Sequence, residues 1–147
     1  MRPTVFKYWG ITYSISSDKK TKYHASGVIA SNYLVTLCHQ AQKCLEGTGI
    51  APELAMKIVT NLMKGTVDNL ATTLSTEKSL TGPIKRGDNK TILSHLSAIE
   101  DNEQLSNFYR LMGILTLDIA KHEKEKTQSI SDLLEFKPEN LSSTFKP

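Results

Sequence analysis

The sequence predicts an all-α protein, a bundle of about four to six helices with a short β-strand segment at its N-terminus. Long stretches in which apolar residues recur every three to five positions occupy most of the 147-residue chain. Breaks rich in glycine and proline separate these stretches. The apolar–polar alternation of a strand occurs only near the N-terminus. The length corresponds to one domain.

The composition is that of an ordinary globular protein, with 39% hydrophobic and 22% charged residues. The net charge of +3 comes from scattered lysines, and no basic run is interleaved with aromatic residues, so we expect no nucleic-acid partner. No apolar run is long enough for a membrane span and no signal-peptide core is present, so we expect a cytoplasmic protein. Cys38 and Cys44 are poorly spaced for a disulfide, and we expect two buried free thiols.

Residues 1–22 are predicted to be a strand and linker segment that precedes a helical domain over 23–136 and a loose tail over 137–147. Tyr13–Ser16 alternates apolar and polar residues as a strand does. Additional β-branched and aromatic residues precede it: Val5, Phe6, Tyr8, Trp9 and Ile11. Because one strand is not stable alone, it must pair within a dimer, pack on the helices, or belong to a sheet that this chain does not form.

The first helix is predicted over Tyr23–Glu46 and organises the chain. Between Ala25 and Cys38 apolar residues fall on nearly every side, which predicts a helix buried on most sides. One polar stripe spans a sector of roughly 100°. The stripe consists of His24, Ser31, Asn32 and His39. Since buried polar groups are costly without partners, the stripe is either a structural hydrogen-bond network or a wall that faces a ligand.

The first helix is expected to end at Gly47–Gly49, because glycine commonly ends helices. Pro52 is suited to the first turn of a second helix, predicted to run from Pro52 to Leu74. Gly65 either interrupts that helix or allows a neighbour to pack closely. Two glycines and a proline predict a fixed, non-helical loop over Leu80–Asp88.

The next helix is predicted from Asn89 to about Ile99, with Asp88 as its N-cap. A long helix is predicted from Glu103 to Lys124 on the basis of its apolar repeat. The charged segment 121–128 is interpreted as the solvated, fraying end of that helix. Ser129–Phe136 is predicted to form one more short helix.

A second cluster of polar residues lies on the predicted loop over Leu80–Asp88 and on the helix after it. Its members are Thr81, Arg86, Asp88, Thr91 and His95. If the loop packs over the first helix, the two clusters form one pocket. His24 then donates a proton, Asn32 holds a carbonyl or carboxylate oxygen, and Arg86 grips an anion. In the structural alternative, His24 caps its helix, Asp88 is an N-cap and Arg86 pairs with Asp88.

Four segments, in this order and spacing, resemble the C-terminal helical domain known as DUF2520. They are Tyr23–Ser26 (YHAS), Ala30–Leu34 (ASNYL), Leu80–Asp88 (LTGPIKRGD), and Thr91 with His95 and Leu96. The resemblance covers about residues 10–122. This domain follows a Rossmann domain in NADP-dependent oxidoreductases that are similar to 6-phosphogluconate dehydrogenase, pyrroline-5-carboxylate reductase and ketopantoate reductase. The resemblance implies a helical fold like that of the C-terminal domain of 6-phosphogluconate dehydrogenase. It also implies that residues 5–16 are the last strand of a preceding α/β domain.

The resemblance implies that the chain is the substrate-side and dimerisation half of a reductase of a small 2-oxo acid or imine. For a subgroup, the reaction implied is ketopantoate reduction in pantothenate synthesis. NADP is expected to be bound mainly by the preceding domain rather than by this chain alone. We expect a homodimer and a small-molecule substrate, and neither a metal ion nor a membrane partner.

The candidate catalytic residues are His24 and Asn32, and the candidate substrate-binding residues are Ser31, Thr81, Arg86, Asp88 and His95. Of these, Asn32 and Ser31 match the asparagine region that the resemblance implies. Related reductases carry a lysine proton donor a few residues before the asparagine, whereas Val28 and Ile29 occupy that region here. We expect His24, on the same polar stripe, to replace that lysine as the proton donor. The alternative function is a non-catalytic helical module for oligomerisation or for small-ligand binding.

Overall fold

A computed structural model describes residues 4–8 and 10–135, and the prediction of an all-α bundle with an N-terminal strand segment is confirmed over these residues. In chain order the elements are β1 (Thr4–Tyr8), β2 (Ile11–Ile15), a 3-10 turn (Ser17–Lys19), α1 (Lys20–Glu46), α2 (Pro52–Thr73), α3 (Thr76–Ser79), α4 (Gly82–Arg86), α5 (Asn89–Ala98), α6 (Glu103–Ala120) and α7 (Lys124–Leu133). Trp9, Phe136 and the predicted tail 137–147 lie outside the described residues. No helix in the described part has the length and apolarity that crossing a membrane requires.

The N-terminal segment is a β-hairpin rather than a single strand. β1 and β2 pair antiparallel, and Gly10 in the turn has a φ of +80°, which glycine adopts at little cost. The Phe6 ring stacks on the Tyr13 ring with 5.6 Å between centroids and lies 4.4 Å from the Tyr23 ring. The hydroxyls of Tyr13 and Tyr23 are 3.2 Å apart. The strands therefore pair with each other, and the hairpin packs on the start of α1.

The predicted burial of the first helix on most sides is wrong for this chain. α1 has no buried residue, and Ile29 and Val35 are 60% and 69% exposed. The reason is that α1 packs mainly along one side against α2, so its other sides face outward. The two free cysteines follow the same pattern: Cys38 is half-buried with its Sγ 3.7 Å from the Met56 Sδ, and Cys44 is exposed. The prediction of two buried thiols is therefore also wrong.

The boundaries of α1 and α2 are close to the predicted ones. α1 begins three residues before Tyr23 and ends at Glu46, where the Gly47 amide donates to the Lys43 carbonyl oxygen. α2 has Pro52 in its first turn and continues through Gly65 without interruption.

The core lies among α4–α7. Its fully buried large side chains are Ile92 of α5, Ile130 of α7 and Leu134 just after α7. The other buried members of this cluster are Ile84, Leu96, Leu117 and Ala120. Gly113 of α6 faces Leu134, and a Cβ at Gly113 would lie only 2.8 Å from a Leu134 methyl carbon. Glycine at this position therefore allows the close approach of Leu134 to α6.

The C-terminal helices differ from the predicted ones. α6 ends at Ala120, because Lys121 adopts a left-handed conformation, and α7 begins at Lys124. Segment 121–128 is thus a turn followed by the start of a new helix, not a fraying end. The His122 Nε2 donates to the Ile84 carbonyl oxygen at 2.6 Å, and the Lys126 Nζ donates to the Arg86 carbonyl oxygen at 2.8 Å. These two hydrogen bonds fasten the start of α7 to α4.

The segment predicted as a non-helical loop contains one helical turn, α4. Pro83 lies in its first turn, where the missing amide hydrogen costs nothing, and Gly87 ends it with a φ of +67°. The glycines and the proline do separate the long helices, as predicted. At this spacing, however, they also begin and end a single turn of helix.

Candidate functional site

The polar stripe on α1 is exposed in this chain. His24, Ser31 and Asn32 are all exposed, and none of them lines either of the two cavities described below. The His24 ring makes an edge contact with the ring of neighbouring Tyr23, at 5.8 Å between centroids. The stripe therefore forms no buried hydrogen-bond network within the described residues.

Asp88 is the N-cap of α5, as predicted. Its carboxylate accepts hydrogen bonds from the Thr91 amide at 3.0 Å and from the Thr91 hydroxyl at 2.7 Å. These hydrogen bonds, more than the nearby charge of Arg86, hold the pKa of Asp88 below its ordinary value. The Arg86 side chain is 63% exposed, with a guanidinium nitrogen 3.8 Å from an Asp88 oxygen. Asp88 thus has a structural role, and much of the Arg86 guanidinium is open to solvent.

His95 of α5 is paired with Tyr109 of α6. The His95 Nδ1 and the Tyr109 hydroxyl are 2.9 Å apart, and the two rings meet edge to face at 89°. Burial raises the pKa of Tyr109, so its phenol is protonated at neutral pH. Tyr109 is not among the predicted site residues, because it lies within the apolar repeat of α6. A signal was available, because a tyrosine on the buried side of a helix usually needs a partner for its hydroxyl.

Two adjoining cavities meet at this pair. The larger, of about 780 Å³, lies between α1–α2 and α5–α6, and the smaller, of about 300 Å³, lies beside α4, α5 and α6. Both are lined by Leu37, His95, Phe108 and Tyr109. Each of the two volumes is in the range of small-molecule sites, which are mostly apolar with a few convergent polar groups.

Thr81 also lines the smaller cavity. It precedes the first residue of α4, yet its side chain makes no capping hydrogen bond. The structure therefore brings together two of the predicted site residues, Thr81 and His95, and adds Tyr109.

The predicted pocket between the two polar clusters does not form within this chain. His24 lies 13 residues before Leu37 on α1, which is roughly 20 Å along the helix axis. α4 and α5 pack mainly against each other and against α6 and α7. The two clusters consequently remain separate, with Arg86 and Asp88 outside the linings of both cavities.

The described residues do not fit a dinucleotide. Pyrophosphate is commonly held by a glycine-rich turn between a strand and the N-terminus of a helix. Here β2 leads into the Ser17–Lys19 turn without a glycine, and Gly47 and Gly49 connect two helices. In the same part of the chain, no three His, Cys, Asp or Glu side chains are grouped so that they could hold a metal ion.

Comparison with known families identifies the chain. The profile described as "Domain of unknown function (DUF2520)" matches residues 4–116, so the chain belongs to the DUF2520 family. It is similar to the crystal structure of protein TM1727 from Thermotoga maritima, with 34% sequence identity and a TM-score of 0.63. The match covers 73% of this chain and 42% of that one, so the chain spans less than half the length of its solved relative. Comparison with curated proteins gives no match.

Proposed function

We propose that the chain is the substrate-side and dimerisation domain of an NADP-dependent reductase of a small 2-oxo acid or imine, with ketopantoate as a candidate substrate. The observation that carries the proposal is the pair of adjoining cavities, in which His95 and Tyr109 lie between an apolar space and a smaller one lined by Thr81. The greater length of the Thermotoga maritima relative supports a domain that acts within a longer protein.

In this proposal the chain binds the substrate and excludes water, while the dinucleotide is held by other residues of the whole protein. His24 is the proposed proton donor, and Asn32 and Ser31 are proposed to contact the substrate from α1. Their exposed position leaves them free to face another domain. Arg86 is the proposed anion contact, because a guanidinium can hold a carboxylate in a bidentate way. The proposed location is the cytoplasm, which the two free thiols support.

The test begins with the size of the natural polypeptide, measured by immunoblot of source cells. Purified whole protein is then assayed for NADPH oxidation with a panel of small 2-oxo acids. We expect His24→Ala to lower turnover by about a hundredfold or more, since general acid catalysis typically contributes that much. Asn32→Ala should also lower turnover, with the fold retained in both variants.

His39→Ala is the matched control, because His39 is also exposed on α1 but has no assigned role. Whole protein that turns over no 2-oxo acid or imine would contradict the reductase proposal. Normal turnover in His24→Ala would contradict the assignment of His24.

A second candidate is a non-catalytic module for oligomerisation, and the apolar surface of α1 favours it. Exposed apolar side chains continue along α1 and onto α2, and they include Val28, Ile29, Val35, Leu54 and Leu62. We propose that a second copy of the chain covers this surface, because paired identical surfaces are the commonest way to close such an interface. A homodimer is part of both candidate functions.

The mass of the chain in solution tests the homodimer. Light scattering should give twice the 16.4 kDa of one chain. Val35→Glu should give a folded monomer, because it places a charge on the proposed interface. Leu93→Glu on α5 is the control, since Leu93 is also half-exposed but lies far from α1 in the chain order and lines neither cavity. A wild-type chain that is monomeric at every concentration tested would contradict the homodimer.

A further inference from the structure

The His95–Tyr109 pair is the point where the polar and apolar parts of the two cavities meet. Both side chains line both spaces, and they are joined by the 2.9 Å hydrogen bond between the Nδ1 and the hydroxyl. Apolar groups dominate the wall of the larger cavity: Leu34, Leu37, Val59, Leu70, Phe108 and other carbon-rich side chains. Thr81 and Thr116 add hydroxyls to the wall of the smaller one.

We propose that Tyr109, positioned by His95, donates a hydrogen bond to the carbonyl oxygen of a branched 2-oxo acid, with Thr81 contacting the carboxylate end in the smaller cavity. The aliphatic body of this ligand lies in the larger cavity. This inference rests on the substrate class of the proposed function, but it assigns the contacts with the carbonyl and carboxylate oxygens to Tyr109 and Thr81, in place of Asn32 and Arg86, which line neither cavity.

The hydrogen-bonding capacity of these groups matches such a ligand. When the His95 Nδ1 carries its proton, it donates to the phenol oxygen, and the phenol hydrogen is left to point into the cavity. The pKa of a tyrosine is ordinarily far above neutral and burial raises it further at Tyr109, so the phenol retains that hydrogen at neutral pH. The Thr81 hydroxyl has no hydrogen-bond partner among the described residues. Two donors are therefore available in one space.

Of the other polar side chains, Gln40 adds an amide to the wall of the larger cavity, whereas two threonine hydroxyls are already engaged. The Thr116 hydroxyl already donates to the Met112 carbonyl oxygen at 2.7 Å, and the Thr66 hydroxyl donates to the Leu62 carbonyl oxygen at 3.1 Å. Among the described residues, no aspartate, glutamate, lysine or arginine lines either cavity. The walls therefore suit a compact aliphatic body with oxygen atoms at one end, and they contain no acidic group that would repel a carboxylate.

The test measures binding of 3-methyl-2-oxobutanoate to the 147-residue chain by NMR, following the carbon-labelled rings of histidine and tyrosine. Tyr109→Phe removes only the hydroxyl oxygen and its hydrogen. We expect it to weaken binding about tenfold, as the loss of one hydrogen bond does. Thr81→Val should weaken binding to a similar extent. Tyr33→Phe is the matched control and should bind as the wild type does, because Tyr33 is exposed on α1 and lines neither cavity.

A second probe, 3-methylbutanoate, has the same aliphatic body and carboxylate but lacks the 2-oxo group. We expect it to bind about tenfold more weakly to the wild type and equally to wild type and Tyr109→Phe. The inference is overturned if 3-methyl-2-oxobutanoate shows no saturable binding, if Tyr109→Phe binds it normally, or if both probes bind equally. If Tyr109→Phe does not fold, Thr81→Val and the comparison of the two probes decide the matter.

This experiment and the turnover assay fail independently. Turnover of a 2-oxo acid by the whole protein, without binding at Tyr109, would retain the reductase and place its substrate elsewhere. Binding that depends on Tyr109, without turnover in the whole protein, would retain the site and support a ligand-binding module.

Discussion

α1 and the α4–α7 cluster bury their apolar side chains to very different extents, while α2 buries Ala55 and Val59. α1 has 27 residues and buries none of them, whereas the 10-residue α7 and the residue after it include Ile130 and Leu134, both with 0% exposure. The sequence of α1 is nevertheless the more continuously apolar of the two. Burial in this chain is therefore determined by how many elements surround a helix, more than by its own composition.

This difference separates the two roles proposed for the domain. α4–α7 pack around a shared core and hold His95 and Tyr109 in place. α1 and α2 supply the opposite wall of the larger cavity and a broad apolar surface that faces outward. A cluster with its own core can support a site, while a two-helix hairpin has surface left over for a partner.

The largest effect is expected from truncation in the core. Ile130→Ala should destabilise the chain by about 2–5 kcal/mol, because it leaves a cavity in a fully enclosed region. Ile29→Ala on α1, at 60% exposure, should change stability by about 0.5 kcal/mol or less in the monomer. The free energy of unfolding in urea, measured at several protein concentrations, checks both values. A large loss for Ile29→Ala that grows with concentration would show that assembly buries this residue.

A smaller effect is expected when a glycine is replaced in each region. Gly113→Ala should be destabilising by on the order of 1 kcal/mol, because overpacking against Leu134 outweighs the gain in helix propensity. Gly65→Ala on α2 should be stabilising by up to about 1 kcal/mol, since no neighbouring atom lies within 4 Å of the added carbon. Thermal unfolding of the two variants tests this contrast. If Gly65→Ala instead weakens the dimer, Gly65 lies at a close contact between copies.

The smallest effect is expected at Asp88, in the cluster that holds the site. Its pKa is lower in the folded state than in the unfolded state, so its carboxylate stabilises the fold above the unfolded pKa. This contribution is lost as the pH falls through the folded pKa. Asp88→Asn should therefore be less stable than the wild type at pH 7, and the difference should disappear in acid. Asp118→Asn on α6 is the control, and a pH-independent difference for Asp88→Asn would contradict the role of its charge.

Much of the helical architecture could be predicted from local signals. The end of α1 at Gly47, the start of α2 at Pro52 and the Asp88 N-cap all depend on the conformational preferences of single residues. The division between α6 and α7 was not predicted. It occurs at Lys121, whose backbone is left-handed, and lysine seldom adopts that conformation. A long-range hydrogen bond, from the His122 Nε2 to the Ile84 carbonyl oxygen, holds that turn against α4.

The candidate site was predicted only in part. Thr81 and His95 were named from their spacing, and the structure places both beside one cavity. Tyr109 was missed because its role depends on α6 meeting α5, 14 residues earlier in the chain. His24 and Asn32 do not line that cavity. Spacing along a helix predicts which residues share a face, but it does not determine which neighbouring element covers that face.

The sequence by itself determined where the helices lie, which residues cap them and which polar groups share a face, because these depend on contacts within a few residues. Only the tertiary structure decided which apolar helix would be enclosed and which polar cluster would line a cavity. The reason is that burial and cavity shape arise from contacts between distant segments, here α4–α7 around Ile130 and Leu134. α1 has the longest apolar stretch of the chain, yet over the described residues it packs mainly against one other helix, α2.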